Sequence, residues 1–136
     1  MAMWAMWAAP LEMAADLRSI APASAKILQN PEVIAVNQDP LVYQARRVSN
    51  DNGLQVWQKR LVDGSVAVAL YNAGESKARI PLAFEAVGFS SCDRVIVRDL
   101  IARTDLGTRI GELDAAGVLP LIEPHGISLY NLSIAW

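Results

Sequence analysis

Few residues in this sequence combine a reactive type with a suggestive position. Asp16 and Arg18 follow the short apolar run Leu11-Glu12-Met13-Ala14-Ala15. A carboxylate beside a guanidinium there is either a charged pair at the mouth of a site or a loop anchor. Glu12 lies within the run, and if it faces inward it needs a partner, because an unpaired buried carboxylate is costly. His125 is the only histidine, which excludes metal sites built on several histidines. It sits in the turn Pro124-His125-Gly126, where a structural role is expected. Cys92 is the only cysteine, so it forms no internal disulfide and leaves the redox compartment open. No histidine or cation adjoins it in sequence to activate a thiolate. Asn131-Leu132-Ser133 fits a glycosylation sequon but falls in a strand-like run. Trp57, Tyr71, Tyr130 and Trp136 could stack on a sugar, although aromatics at strand spacing more often pack a sheet face. Gly107 and Gly111 are isolated turn glycines, and no phosphate-cradling loop is present.

The elements that must position these residues divide at one stretch, Asn30 to Leu41. Asn30-Pro31-Glu32 is a helix start: a capping side chain, a proline at the first helical position, and an acid near the positive helix end. Val33, Ile34 and Val36 give that helix an apolar side, and Asn37-Gln38-Asp39-Pro40 stops it. Upstream, Pro10 ends a helix rich in Met and Trp. Leu11–Ala15 then reads as a short strand with Asp16 at its C-terminal end. Pro22 opens a second helix from about Ala23 to Asn30, with Ile27 and Leu28 inward and no capping side chain at Ala21. From Gln44 onward the period is two. Leu54–Leu61 and Ser65–Asn72 flank the hairpin signal Asp63-Gly64, and the second run is apolar on both faces, like a central strand. Further strands are expected at Lys77–Leu82 (an edge, because of Pro81), Arg94–Leu100, Thr108–Leu113, Gly117–Ile122 and Gly126–Ile134. Short strands at regular spacing with Gly and Pro turns indicate a β-sandwich.

The joint itself, Pro31-Glu32-Val33-Ile34-Ala35-Val36-Asn37-Gln38-Asp39-Pro40-Leu41, resembles the segment that closes the catalytic barrel of glycoside hydrolase family 27, the α-galactosidases and their relatives. Trp4-Ala5-Met6-Trp7-Ala8-Ala9-Pro10-Leu11, with Asp16-Leu17-Arg18, resembles that family's last barrel helix-strand passage. Val97-Arg98-Asp99-Leu100, Asp105-Leu106-Gly107-Thr108 and Pro124-His125-Gly126 resemble its C-terminal β domain. Two positions depart from the pattern: Glu12 stands where an apolar residue is usual, and Ala21 where a serine is. The resemblance implies a mostly β chain. A C-terminal antiparallel β-sandwich (residues 42–136) would follow the last helix-strand-helix piece of a (β/α)8 barrel (residues 1–41).

What the resemblance implies for function is a C-terminal fragment of a retaining hydrolase of terminal α-galactosides or related sugars. The family's two catalytic aspartates lie on earlier barrel strands, before this chain begins. The residues agree. Retaining glycosidases need carboxyl groups about 5–5.5 Å apart. Glu12 and Asp16 share a strand face, but four residues put their Cα atoms roughly 13 Å apart. The chain is therefore expected to hold no catalytic pair, with Asp16 and Arg18 as the barrel-mouth candidates, and to need no cofactor and no metal. The carbohydrate substrate would bind through the absent part of the barrel. The alternative is a stand-alone carbohydrate-binding or interaction module, which an exposed aromatic row on one sheet face would favour.

Composition sets the remaining bounds. Across 136 residues, 53% hydrophobic and 19% charged permit a real core. A net charge of −2 gives no electrostatic case for nucleic acid or an anionic membrane surface. Met1–Leu11 is apolar, yet no Lys or Arg precedes Arg18, so the basic start of a signal peptide is missing. The run is also too short to cross a bilayer. With one strand-loop-helix unit and no barrel around it, Met3, Trp4, Met6 and Trp7 are expected to lack cover and residues 1–20 to be loosely held. Such a patch promotes association, a homo-oligomer included.

Overall fold

The computed structural model describes residues 1–114, 117 and 119–135. Three helices come first: α1 (Ala2–Met6), α2 (Pro22–Leu28) and α3 (Pro31–Asn37). Six strands follow: β1 (Arg46–Asp51), β2 (Leu54–Arg60), β3 (Val66–Asn72), β4 (Arg94–Asp99), β5 (Thr104–Ile110) and β6 (Ile127–Ile134). They form one antiparallel sheet in the order β1-β2-β3-β6-β4-β5. The chain is mostly β.

The hairpins follow from local chemistry. Asp51 pairs with Leu54, leaving Asn52 and Gly53 as a two-residue turn with both φ positive (49° and 90°). That is the combination a type I′ turn requires. At Asp63-Gly64 the loop is longer than a two-residue turn: Leu61 N donates to Ser65 O, and Gly64 takes φ 84° in between. Asp63 Oδ1 accepts from the Ser65 amide and hydroxyl and rigidifies it.

β3 is buried along almost its whole length, as expected of a central strand covered on both faces. On one face Val66, Val68 and Leu70 join Val95, Val97 and Leu132 in the larger core. The cover is not a regular second sheet. The strands expected at Lys77–Leu82 and Gly117–Ile122 meet only as the isolated bridge Ala78↔Ile122; Val118 lies outside the described residues. Pro81 and Pro120 lack the N–H a ladder needs, so pairing does not propagate. These segments instead drop Ile80, Leu82 and Ile122 onto the sheet, where the neighbouring Phe84 and Leu113 join them. Fully buried Asn72 fastens them, donating to Ser76 O and Ile122 O and accepting from Gly74 N. β5 begins four residues earlier than the expected Thr108 start. It ends at Ile110, before Gly111 at φ 78°, and only Glu112 bridges onward, to Ala83.

The other face carries the helices. Ala67 and Ala69 of β3 present a low surface, and Ala2, Ala5 and Met6 of α1 close onto it with Val33 and Val36 of α3. The expectation that Met6 lacks cover is therefore corrected: it is completely buried in the cluster that α1 and α3 form with the sheet. Trp7 is only partly exposed and meets Trp57 edge to face at 5.8 Å, whereas Trp4 stays half exposed. The strand expected at Leu11–Ala15 does not form; these residues have no ladder partner, and a strand without hydrogen-bonded neighbours is not stable. α2 buries no residue, and Ile27, expected inward, is 58% exposed. Ile27 borders an open cleft that it shares with Ile101 and with Ile127 of β6.

α3 is fixed at both ends. Asn30 Oδ1 accepts from Glu32 N and Val33 N, while its Nδ2 donates to Leu100 O across the structure. Arg98 grips both Glu32 oxygens at 2.7 Å and also reaches Asp105. At the other end, Asp39 accepts from Leu41 N and Val62 N. Lys59 of β2, 1% exposed, donates to Ala5 O and Val36 O at the last turns of α1 and α3.

Two predictions follow from α3. Asn30→Ala removes a cap and a buried hydrogen bond, each worth about 1 kcal/mol, so urea unfolding should show a loss of about 2 kcal/mol. The Arg98 guanidinium holds the Glu32 carboxyl below the usual carboxylate range. A depressed carboxylate contributes stability above its unfolded pKa and loses it as pH falls through the folded value. Between pH 6 and pH 3 the wild-type urea midpoint should accordingly fall more steeply than that of Glu32→Gln.

Candidate functional site

Asp16 and Arg18 come together and do little else. Arg18 Nε and Nη2 donate to the two Asp16 oxygens at 2.9 Å, and the Arg18 amide adds a third bond at 3.0 Å. The Arg18 bonds hold the Asp16 carboxyl below its ordinary range, and Asp16 in turn raises the guanidinium. Both side chains are exposed. A carboxylate with a depressed pKa and both oxygens occupied is a poor general acid at neutral pH. Glu12 faces solvent and needs no buried partner. It borders a shallow hollow of ≈ 340 Å³ whose other walls include Trp4, Leu11, Met13, Leu28 and Ile34. That hollow offers apolar contact and no second acid.

The remaining sequence candidates scatter. His125 is exposed in its turn, at φ 55°, with Nε2 3.5 Å from Glu75 Oε1. Cys92 is exposed beside Ser90 Oγ at 3.2 Å. Asn131 lies on β6 and donates to Ser65 Oγ at 3.1 Å. The described members of the aromatic set divide between the two sheet faces, with half-buried Tyr71 on the Trp57 face. Tyr130 is buried in the larger core on one sheet face, and Trp57 packs on the other against the helices. Trp136 lies outside the described residues. Among the described residues, no group of three or more His, Cys, Asp or Glu side chains is placed to hold a metal ion. No described helix is long and apolar enough to cross a membrane.

The polar chemistry of the chain lies instead around α3. A second cleft, ≈ 530 Å³, runs between α3 and the β4–β6 half of the sheet. It carries Glu32, Asp39, Asp63, Arg98 and Asp105 on its walls. Each already has a partner within the protein: Arg98 for Glu32 and Asp105, backbone amides for Asp39, and Ser65 for Asp63. The cleft is wired for joining elements. Lys59 was missed in sequence because a lysine in a strand reads as an exposed position. The signal that could have found it is the neighbouring strand, apolar on both faces, which requires cover over both faces of β2 as well.

Comparison with known proteins places the whole arrangement. The family model described as Alpha galactosidase A matches residues 1–39, and that of the Alpha galactosidase C-terminal beta sandwich domain matches residues 51–132. Alpha-galactosidase 2 of Arabidopsis thaliana is 38% identical over 130 residues, 96% of this chain and 32% of that protein. Alpha-galactosidase of Oryza sativa subsp. japonica is 36% identical over 130 residues, 96% of this chain and 30% of its own length. The crystal structure of alpha-galactosidase I from Mortierella vinacea superposes with a TM-score of 0.88 at 27% identity, covering 96% of this chain and 33% of that one. A GH27 β-L-arabinopyranosidase from Geobacillus stearothermophilus does so at 0.85 and 28% identity, over 97% of this chain and 28% of that one. The chain spans about a third of the length of the curated relatives it matches. With the Alpha galactosidase A model matched first and the C-terminal beta sandwich model after it, this chain belongs to the α-galactosidase family of glycoside hydrolases, family 27.

Proposed function

We propose that this chain is the C-terminal part of a retaining hydrolase of terminal α-galactosides or related sugars. In this reading residues 1–41 finish the catalytic barrel and residues 42–136 form the sandwich domain against it. The observation that carries the reading is the ordered match to the Alpha galactosidase A model and then to the C-terminal beta sandwich model, on a chain about a third as long as its relatives.

The chemistry of such an enzyme needs one carboxylate as nucleophile and one carboxylic acid to protonate the leaving oxygen, about 5–5.5 Å apart in a shaped pocket. Neither job suits Asp16, whose oxygens are held by Arg18 in solvent. The catalytic pair and the sugar pocket are assigned to barrel strands outside this chain. The role of these residues is then to close the barrel and brace it. Sugar choice rests on buried hydrogen bonds to hydroxyl groups. The structural neighbour named as an arabinopyranosidase shares this fold at a TM-score of 0.85. That supports placing sugar selection elsewhere. A stand-alone sugar-binding module gains no support, since Tyr130 is buried in the core and Trp57, on the face it shares with half-buried Tyr71, packs against the helices.

The assay is direct: the purified 136-residue chain with an activated aryl α-galactoside, alongside Asp16→Asn. No turnover above background is expected from either. Turnover by the wild-type chain would overturn the reading, and its loss in Asp16→Asn would make Asp16 catalytic.

A further inference from the structure

The most unusual side chain in the molecule is Lys59. It starts on a strand and ends 1% exposed among apolar residues, with its Nζ on two carbonyls, Ala5 O and Val36 O. An ammonium has three N–H donors and a neutral amine has two. The structure supplies two acceptors. Full burial removes the water that would satisfy a third, so the protonated form leaves one donor unmet and a charge desolvated.

Every element packed around Lys59 bears on this balance. α1 brings no charged side chain, only the Met1 amino group at its start. α3 brings Glu32 at its far end, already clamped by Arg98. Asp39 follows α3 and attracts the positive charge, but its oxygens are engaged by Leu41 N and Val62 N. β3 contributes Ala67 and Ala69, and β6 contributes Leu129. β1 contributes Arg47, which lies over the Trp57 ring. The helix-end carbonyls and Asp39 favour the cation; burial opposes it.

We propose that Lys59 is a pH-sensitive clasp, holding α1 and α3 on the sheet most tightly as an uncharged amine and less tightly when protonated. Burial depresses its pKa below the ordinary lysine range, with Asp39 partly offsetting the shift. In the unfolded chain the lysine keeps its ordinary affinity for the proton. Between the folded and unfolded values the unfolded state therefore binds more protons, and stability rises with pH.

The test compares thermal unfolding of the 136-residue chain and Lys59→Met across pH 7 to about 10.5, the ordinary lysine range. The wild-type midpoint should rise relative to the variant's as pH increases. Parallel curves, or the opposite slope, would overturn the proposal. A second measurement needs no variant: the Lys59 Cε chemical shift followed by NMR over the same range. Lys59 should titrate distinctly below the ordinary lysine value of about 10.4, and titration at that ordinary value would contradict the clasp even if Lys59→Met fails to fold.

Discussion

A buried amine that reaches two helix ends is the constraint on which the rest of the structure depends. Lys59 enters from the middle of the sheet and meets the last turns of α1 and α3 at one point. α1 has five residues and α3 has seven, and helices that short do not persist in water without tertiary packing. Their stability has to come from the sheet. The alanines of β3 and α1 let the backbones approach, and the lysine then answers the carbonyls that the close approach would leave without water. Asn30, Glu32 and Asp39 extend the same joint along α3, each by tying a helix end to a different part of the β region.

Local signals predicted whatever they alone decide. Asn30-Pro31-Glu32 gave a helix at Pro31–Asn37 with its cap in place, because capping is settled within four residues. The turn at Asn52-Gly53 is likewise local, since it needs only positive φ at two successive positions. The double-sided apolar run at β3 identified a central strand. What failed depended on partners outside the segment. Leu11–Ala15 has the composition of a strand and no neighbour to pair with. Ile27 has the spacing of an inward residue and no surface to pack against. Lys77–Leu82 alternates exposed and buried residues as a strand does, but Pro81 stops the ladder, and Pro120 does the same next to the single bridge at Ile122. Among the sequence candidates for a site, Asp16 and Arg18 are neighbours in the chain and bond to each other in the structure, and nothing in sequence reveals that their side chains satisfy only each other.

For a chain of this family, that distribution of polar groups carries a functional meaning. Glu32, Asp39, Lys59 and Arg98 spend their hydrogen bonds within the protein, on caps, turns and the helix–sheet joint. Under the proposed function, the sandwich gives the closing helices of the barrel a fixed floor, and chemistry a long way from the sheet would feel a loss of that floor as misplacement of the barrel wall.

Residue-level hydrogen exchange on the 136-residue chain tests the joint most directly, because it separates local undocking from global unfolding. The amides that close α3, at Ile34 to Asn37, should be protected to within about tenfold of Val68 to Leu70 in β3, since one cooperative unit opens both. Free exchange across α1 and α3, with β2, β3 and β6 still protected, would contradict the account.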